Sequence, residues 1–284
     1  MKKNKLFLAK ASSSEKKKIQ DLMNDVFFNK FKNLRFVHWQ YFASNFKTKL
    51  IIAKKENQII SMGGYIERKL NSNEKVYQLI GLKTLKKFRK TGIFTKIFSN
   101  LLKKKNIICF GNSNIKNYFI KRNFKEKKIL NLISTKNNFK NKFSKINNSL
   151  ILHKSNNFFK LNKNYFFKRY SLHPMNRYFI LKNKKYNLVY KIFEIKNKKY
   201  LDIIDIYIKK KLNLFEIFYD LNKKILNKNF HYINLFVYEK SLLKKKLCKL
   251  NFYYKNINNK YLFFKNINNE TLEKSLVMLG HADY

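Results

Sequence analysis

The chain has 284 residues and a formal net charge of +48 at pH 7, from 64 Lys and Arg against 16 Asp and Glu. Hydrophobic residues make up 45% of it, aromatic residues 17%, and there is a single proline, which excludes the low hydrophobicity that is typical of disordered chains. The length allows one large folded domain or two ordinary ones.

The positive charge has two interpretations. A basic surface attracts nucleic acid, but only six of the basic residues are arginine, whose planar fork suits phosphate. Lysine is spread through the chain among Asn, Ile, Phe and Tyr, which share A- and T-rich codons. Nucleic acid is therefore not the expected partner, although a nucleic-acid-binding protein stays an alternative.

Cysteine usage and hydropathy indicate the setting. Cys109 and Cys248 lie far apart in apolar contexts, so neither a disulfide framework nor a paired-ligand metal site is expected. The basic start has an apolar run of about four residues, short of the roughly 7 to 15 of a signal peptide. No run approaches the roughly 18 apolar residues of a membrane span, and we expect a cytoplasmic protein.

The first half alternates strand and helix signals. Residues 5–9 predict a strand, and Ser12 or Ser13 can cap the helix that follows. Apolar runs within 49–70 and 75–85 predict three antiparallel strands. A helix is predicted from Ile93, because apolar residues recur there at intervals of four, and a strand at 107–110 and a helix at 115–121 follow.

The second half repeats this plan. Strands are predicted at 178–181, 188–195, 200–208 and 232–237, with helices at 214–226 and 242–247. Asn123 and Asn251 each follow a helix, where a left-handed cap favours Gly or Asn, and each precedes an aromatic residue. We predict domains at 1–135 and 165–284, joined by an asparagine-rich linker at 136–164.

The stretch "FRKTGIF" lies between a predicted strand and a predicted helix. Arg89 and Lys90 supply charge, and Gly92 permits close backbone approach, next to N–H groups of the first helical turn. Such a turn can bind phosphate with the helix dipole behind it. By this pattern alone, an ordinary capped surface helix explains the stretch equally well.

The stretch "LKTLKKFRKTGIFTKIFSNLL" resembles the coenzyme signature R/Q-x-x-G-x-G/A of GNAT-type N-acetyltransferases, with Arg89 and Gly92 on the Arg/Gln and first Gly. Phe94 replaces the last Gly or Ala, as in an R-x-x-G-I-F branch often associated with surface polysaccharide genes. "CFGNSNIKNYFIKRNF" and "FVHWQYFASNF" are similar to neighbouring blocks of that branch. The resemblance covers about residues 5–130 and implies an α/β (α+β) fold of tandem GNAT-like mixed-sheet domains, the second degenerate.

The resemblance implies which residues contact acetyl-CoA and the acceptor. The pyrophosphate would be held around the loop, and the pantetheine region would be contacted by Asn112 and Phe119. Trp39 and Tyr41 would contact the acceptor, as would Asp283 in a tail that resembles the branch's Gly-x-x-Asp ending. The implied loop residues are Leu85, Arg89, Lys90, Thr91, Gly92, Ile93, Phe94 and Thr95.

The catalytic groups implied by the family are only partly present. The usual Tyr position is occupied by Phe119, and Tyr118 would point roughly 100° away on an α-helix. No carboxylate lies in the predicted strand 77–85, so Glu67 is the candidate general base and Tyr118 the candidate acid.

The sequence therefore predicts an N-acetyltransferase that moves an acetyl group from acetyl-CoA to the primary amine of a small acceptor, an amino sugar of surface polysaccharide synthesis. No metal is expected. The alternatives are a Fem-type aminoacyl transferase, which shares the doubled fold, and an inactive acyl-CoA-binding or nucleic-acid-binding protein. The complete R-x-x-G loop favours coenzyme A over aminoacyl-tRNA.

Overall fold

A computed structural model describes residues 7–27, 33–43, 47–135, 148–160, 162–225 and 230–275. Its strands are β1 (Phe7–Lys10), β2 (Thr48–Lys55), β3 (Gln58–Lys69), β4 (Lys75–Thr84), β5 (Ile107–Asn112), β6 (Lys125–Ser134), β7 (Ile151–Leu152), β8 (Phe179–Lys182), β9 (Tyr186–Ile195), β10 (Lys198–Ile208), β11 (Leu212–Asn213), β12 (Phe230–Tyr238) and β13 (Tyr253–Lys265). Its α-helices are α1 (Lys16–Phe27), α2 (Leu34–Tyr41), α3 (Ile93–Leu101), α4 (Ser113–Ile120), α5 (Lys163–Phe166), α6 (Leu214–Ile225), α7 (Leu242–Lys249) and α8 (Asn269–Glu273).

The chain divides into two compact units. Unit 1 comprises Met1–Lys69, Glu74–Cys109 and Asn162–Asn176, and unit 2 comprises Leu70–Asn73, Phe110–Leu161 and Arg177–Tyr284. This division differs from the ranges 1–135 and 165–284 that the sequence suggests, since β6 and α4 cluster with the C-terminal half. Residues 136–147 of the predicted linker lie outside the described residues.

Unit 1 is built on an antiparallel meander. β1, β2, β3 and β4 are neighbours in that order, and the start of β5 pairs with β4 in parallel. The predicted Ser12 cap is confirmed, because the Ser12 N–H donates to the Glu15 carboxylate at 2.9 Å in a capping box. Ile19, Leu22 and Met23 of α1 are buried, as their helical spacing predicts.

Unit 2 contains two long strands that the sequence patterns did not single out, β6 and β13. They pair with each other in antiparallel fashion from Tyr253↔Ile133 to Phe264↔Lys125. Within unit 2 the strand order is β13-β6-β12-β10-β9-β8, so β6, from the first half of the chain, lies between β13 and β12 of the second half. The sequences of β6 (KEKKILNLIS) and β13 (YYKNINNKYLFFK) lack a clear alternation of apolar and polar residues, so both strands depend on pairing with their neighbours.

The matching caps at Asn123 and Asn251 are confirmed. Both residues are left-handed, with φ of 62° and 59°. The next residues, Phe124 and Phe252, each donate their N–H to a carbonyl five residues back, Phe119 and Leu247. Both phenylalanines are buried, so each cap turns an aromatic ring into the core of unit 2.

The parallel pairing of β10 with β12 ends at Ile203↔Leu235, although β10 continues to Ile208. Near this end β10 has a bulge, since Ile203 and Asp205 face the adjacent residues Tyr190 and Val189 of β9. The side chain of Asn157 donates to the Ile208 carbonyl at 2.7 Å and accepts from its N–H at 2.9 Å. A buried side-chain amide thus takes both backbone bonds of the last residue of β10.

We expect Asn157→Leu to lower the free energy of unfolding by about 3 kcal/mol, because it leaves a buried N–H and a buried C=O without Asn157. Urea denaturation followed by circular dichroism measures the loss. Asn117→Leu, at an exposed position of α4, is the matched control and should change stability by less than about 0.5 kcal/mol. Equal midpoints for the two variants would contradict this role of Asn157.

Candidate functional site

The site of unit 1 begins where β4 and β5 separate. Their parallel pairs are Tyr77↔Ile107 and Gln78↔Ile108. β4 continues for six residues beyond Gln78 to Thr84, past the last of these pairs. Residues 79–84 therefore form a strand edge whose backbone can meet a ligand rather than a neighbouring strand.

A bulge bends β4 within this stretch. Met62 of β3 faces Lys83 and Gly64 faces Ile80, so Gly81 and Leu82 stand opposite the single residue between them, Gly63. Gly81 has a φ of +61°, and a Cβ there would lie 3.1 Å from the ring and hydroxyl oxygen of Tyr41. The predicted acceptor residue Tyr41 is thus buried directly over the bulge.

The two faces of β4 meet different helices. A Cβ on Gly63 would contact Leu82 together with Ile97 and Leu101 of α3, whereas Gly81 faces Tyr41 of α2. Direct cross-strand partners share a face of the sheet, and Lys83 is therefore on the Tyr41 face with Met62.

Glu67 lies at the other end of the strand pair. It faces Tyr77 in the register, and its carboxylate is 3.5 Å from the Lys75 ammonium. Tyr77 and Thr84 are seven residues apart along β4, which corresponds to about 23 Å. The structure does not bring the predicted base Glu67 to the loop that follows Thr84.

The loop after β4 contains two left-handed residues before α3. Leu85 is buried and its N–H donates to the Ile60 carbonyl at 3.0 Å, which fixes the start of the loop. Lys90 has φ of 68° and Gly92 has φ of 80°. Left-handed residues alternating with others turn successive N–H groups towards one side and form an anion-binding concavity.

The start of α3 has the electrostatics of an anion site. Helix geometry gives the first backbone N–H groups no acceptor within the helix, and the dipole adds partial positive charge. Gly92 caps the helix without a side chain, no acidic residue occupies the first turn, and a Cβ on Gly92 would meet nothing within 4 Å. Open space and positive potential therefore coincide at Gly92.

The remaining loop side chains shape this turn in two ways. The Thr91 hydroxyl donates to the Phe88 carbonyl at 2.7 Å, and Arg89 Nε is 3.4 Å from the Thr84 carbonyl. Thr95 is exposed in the first turn, whereas Ile93 is buried and Phe94 stacks on Phe98 at 5.7 Å. Ile93 and Phe94 thus anchor the helix by packing, and their contribution to a ligand site would come from the backbone.

Unit 2 closes the corresponding helix start with its own side chains. The Asn213 N–H donates to Glu216 Oε1 at 3.1 Å, and the Phe215 N–H donates to Asn213 Oδ1 at 2.9 Å. Glu216 also pairs with Lys185 at 2.7 Å. Burial alone would raise the pKa of the Glu216 carboxyl, but the bonds from Lys185 and the Asn213 N–H outweigh burial and lower the pKa. An anionic ligand at the start of α6 would have to displace this carboxylate.

The predicted coenzyme residues of α4 belong to unit 2. The Asn112 side-chain oxygen accepts the Asn114 N–H at 3.1 Å and caps α4. Phe119 is fully buried against Phe124 and Phe263, with ring centroids 4.8 and 4.7 Å away. Its side chain is a core element and has no exposed surface for a coenzyme.

Tyr118, the candidate acid, lies beside a fixed cation. The Arg122 guanidinium is 3.5 Å from the centre of its ring, and Arg122 Nη1 donates to the Tyr118 carbonyl at 3.1 Å. The ring face of Tyr118 is therefore covered by a cation–π contact within α4 and its end.

Trp39 belongs to an aromatic cluster of unit 1. Its Nε1 donates to the Lys168 carbonyl at 2.9 Å, and its ring lies 4.3 Å from that of His173. His173 Nδ1 accepts N–H bonds from Met175 and Asn176 at 3.1 and 3.0 Å. This cluster holds residues 162–176 against α2. The other predicted acceptor residue, Asp283, lies outside the described residues.

Lys83 is the site residue that the sequence analysis missed. Burial lowers the pKa of its amine to about 8, and the Cys109 thiol of β5 partly opposes this shift. A lysine in a strand of otherwise apolar character, close to the end that leads to the loop, was the available signal. In a chain with lysine throughout, that signal did not stand out.

Metal sites and membrane spans are two further classes of feature that the described residues allow to be assessed. No three His, Cys, Asp or Glu side chains come together as a metal-binding group within the described ranges. None of the helices in those ranges combines the length and apolar character that a bilayer crossing requires.

We expect Gly81→Ala to destabilise the protein more than Gly92→Ala. Both glycines have positive φ, so both variants suffer backbone strain of roughly 1 to 2 kcal/mol. Only Gly81 also faces a buried ring, which adds at least about 1 kcal/mol of overpacking. Urea unfolding of the two variants measures the difference, and an equal loss would mean that Tyr41 does not pack against the bulge.

The chain matches no protein-family model and no curated protein. It is similar to solved structures of a GCN5-related N-acetyltransferase from Anabaena variabilis (TM-score 0.63, 8% identity, 91% of this chain and 72% of that one) and a probable N-acyltransferase from Enterococcus faecalis (TM-score 0.65, 8% identity, 91% and 72%). A putative acetyltransferase from Pyrococcus horikoshii is similar over 98% of this chain and 94% of its own (TM-score 0.58, 9% identity). At these identities the likeness establishes the fold, which is that of the GCN5-related N-acetyltransferases.

Proposed function

We propose that the protein is an N-acyltransferase that uses acetyl-CoA as acyl donor. The observation that carries this proposal is the start of α3, where left-handed Lys90 and Gly92, first-turn N–H groups and open space coincide. A pyrophosphate is the chemical group that such a turn suits best. The fold likeness and the sequence resemblance support the same donor.

The donor would be bound mainly by backbone groups of unit 1. The N–H groups around Gly92 would hold the pyrophosphate, with Arg89 and Lys90 adding charge at exposed positions. The edge of β4 beyond Gln78 would accommodate the pantetheine arm, and a backbone N–H there would polarise the thioester carbonyl. The bulge at Gly81 would help to admit the pantetheine arm, because it bends this part of the edge of β4 out of regular sheet geometry.

The acceptor would be a small primary amine, and we propose an amino sugar on the basis of the sequence resemblance. Tyr41 lies over the bulge, and the Trp39 cluster packs on the same helix. Catalysis would then consist mainly of positioning the amine against the thioester. A binding module without activity would share the donor site and differ only in the absence of transfer.

Acetyl-CoA at a hundred times its dissociation constant should stabilise the protein by about 2.7 kcal/mol, because it binds the folded state. Thermal unfolding with and without acetyl-CoA measures the effect. Absence of any stabilisation at millimolar acetyl-CoA would refute the donor assignment.

Gly92→Asp should abolish this stabilisation, since it places a negative charge where the pyrophosphate would lie. Gly92→Asn is the matched control, because asparagine has nearly the same shape, tolerates left-handed φ and is neutral. We expect Asn to retain most of the acetyl-CoA effect. If Gly92→Asp binds acetyl-CoA as well as Gly92→Asn, the loop assignment is wrong.

Coenzyme A thiol should be released when acetyl-CoA is supplied with a panel of amino sugars, and the acetylated product should carry the label of radiolabelled acetyl-CoA. N-acetylated sugars in place of the amines serve as controls, because they have no primary amine to react. Binding of acetyl-CoA without transfer to any amine would instead indicate a binding module.

A further inference from the structure

The proposed reaction needs a proton acceptor close to the thioester, and neither β4 itself nor the predicted base Glu67 provides a carboxylate there. The sequence of β4, KVYQLIGLKT, contains no acidic residue. Glu67 faces Tyr77, whose ring contacts the Lys104 ammonium just after α3. The partner of Glu67 is six residues from Lys83 along β4, which corresponds to about 20 Å.

Lys83 lies in the part of β4 along which the acetyl thioester would lie in the proposed function. It is half-buried, two residues after Gly81 and two before Leu85, in the part of β4 that extends past its last pair with β5. The cross-strand partner of Lys83 is Met62. A Cβ built on Gly81 would lie within 3.2 Å of the side chains of both Met62 and Tyr41, so these two side chains are on the same face of the sheet. The amine therefore belongs to the Tyr41 face, opposite the face that packs on α3.

We propose that the Lys83 amine is the general base of the transfer, and that the same group afterwards returns the proton to the coenzyme A sulfur. The inference rests on the proposed function, since it requires an acetyl thioester and an acceptor amine. The catalytic base is then a lysine, in place of the carboxylate of Glu67 that the sequence suggests.

The step balances without any further reactant. The neutral acceptor amine attacks the thioester carbonyl carbon, and a C–N bond forms. Its nitrogen loses one proton to the lone pair of Lys83 Nζ. The tetrahedral intermediate then collapses, the C–S bond breaks and its electron pair remains on sulfur. The Lys83 ammonium finally protonates the thiolate, which yields the amide and coenzyme A thiol and restores the neutral lysine.

The environment of Lys83 suits both halves of this cycle. Burial lowers the pKa of the amine to about 8, so a useful fraction is neutral at physiological pH. That value is also near the roughly 8.5 of an ordinary thiol, so proton return to sulfur is nearly balanced. Cys109 on β5 interacts electrostatically with the Lys83 amine, and Tyr41 on α2 lies over the adjacent bulge. Asp21 and Asp25 of α1 line a cavity together with Leu85, two residues beyond Lys83.

Lys83→Met should reduce kcat about 10²-fold with acetyl-CoA and the best amino sugar of the panel, because general base catalysis commonly contributes 10²–10⁴-fold. Lys83→Arg should fail similarly, since a guanidinium keeps its proton at all accessible pH. Lys49→Met, at an exposed position of β2, is the matched control and should retain wild-type kcat. Stabilisation by acetyl-CoA should be the same in all four proteins.

The pH profile separates a base from a structural lysine. The neutral amine is the active form, so wild-type kcat should rise with pH and level off above about 8. The inflection should not move between two acceptors of different amine basicity, and it should vanish in Lys83→Met. An inflection that follows the acceptor, or persists in the variant, would overturn the assignment.

A second measurement does not depend on the acceptor. Acetic anhydride labels neutral amines, and mass spectrometry measures the labelling of each lysine. Bound coenzyme A would cover Lys83, so it should reduce the labelling of Lys83 several-fold. Lys49 should be labelled equally with and without coenzyme A. Equal labelling of Lys83 would place it away from the coenzyme and overturn the inference.

The two proposals fail in different ways. If wild-type protein binds acetyl-CoA and transfers acetyl groups but Lys83→Met does so equally fast, only the role of Lys83 is refuted. Loss of acetyl-CoA stabilisation in Lys83→Met would show a binding or structural role instead of a base. If the wild-type protein shows no acetyl-CoA stabilisation, the donor assignment and the inference fall together.

Discussion

The early end of the β4–β5 pairing is the constraint on which the site of unit 1 depends. Parallel strands are joined by evenly spaced, slanted hydrogen bonds, and a strand that bends away loses them one after another. In unit 1 the pairs stop at Gln78, and the bulge at Gly81 bends β4 before it reaches Thr84. The strand edge, the buried ring of Tyr41 and the half-buried Lys83 all have their positions because β4 does not continue as a regular neighbour of β5.

Unit 2 has the same order of elements, but its own side chains bind the backbone N–H and C=O groups at the end of the strand and the start of the helix. β10 also has a bulge and also extends past its last pair with β12. There, however, Asn157 binds both backbone groups of Ile208, and Asn213 and Glu216 cap the start of α6. A strand edge and a helix start that are satisfied by the protein's own side chains have little left to offer a ligand. The same order of elements therefore leaves an open helix start in unit 1 and a side-chain-capped one in unit 2.

Most arginines of this very basic chain lie over aromatic rings, as do several lysines. Four of the six arginines lie over an aromatic ring, at 3.5 to 5.8 Å from its centre, namely Arg68, Arg122, Arg169 and Arg177. A planar guanidinium can stack in this way and still donate hydrogen bonds. The charge of +48 comes almost entirely from lysine. Among the described lysines of unit 1, Lys83 is the one whose amine has a pKa changed by burial.

The sequence by itself determined the local structure and the loop. Helical spacing predicted α1, α3 and α6 closely, the caps at Asn123 and Asn251 were readable as left-handed turns, and Gly92 marked the start of α3. These features depend on residues near each other in the chain, so short patterns encode them. Only the tertiary structure decided the pairing of β6 with β13, the end of the β4–β5 ladder, the burial of Phe119 and the environment of Lys83. Each of these depends on which distant segment becomes a neighbour, because a strand edge, a buried ring or a shifted pKa is a property of the surroundings that packing supplies.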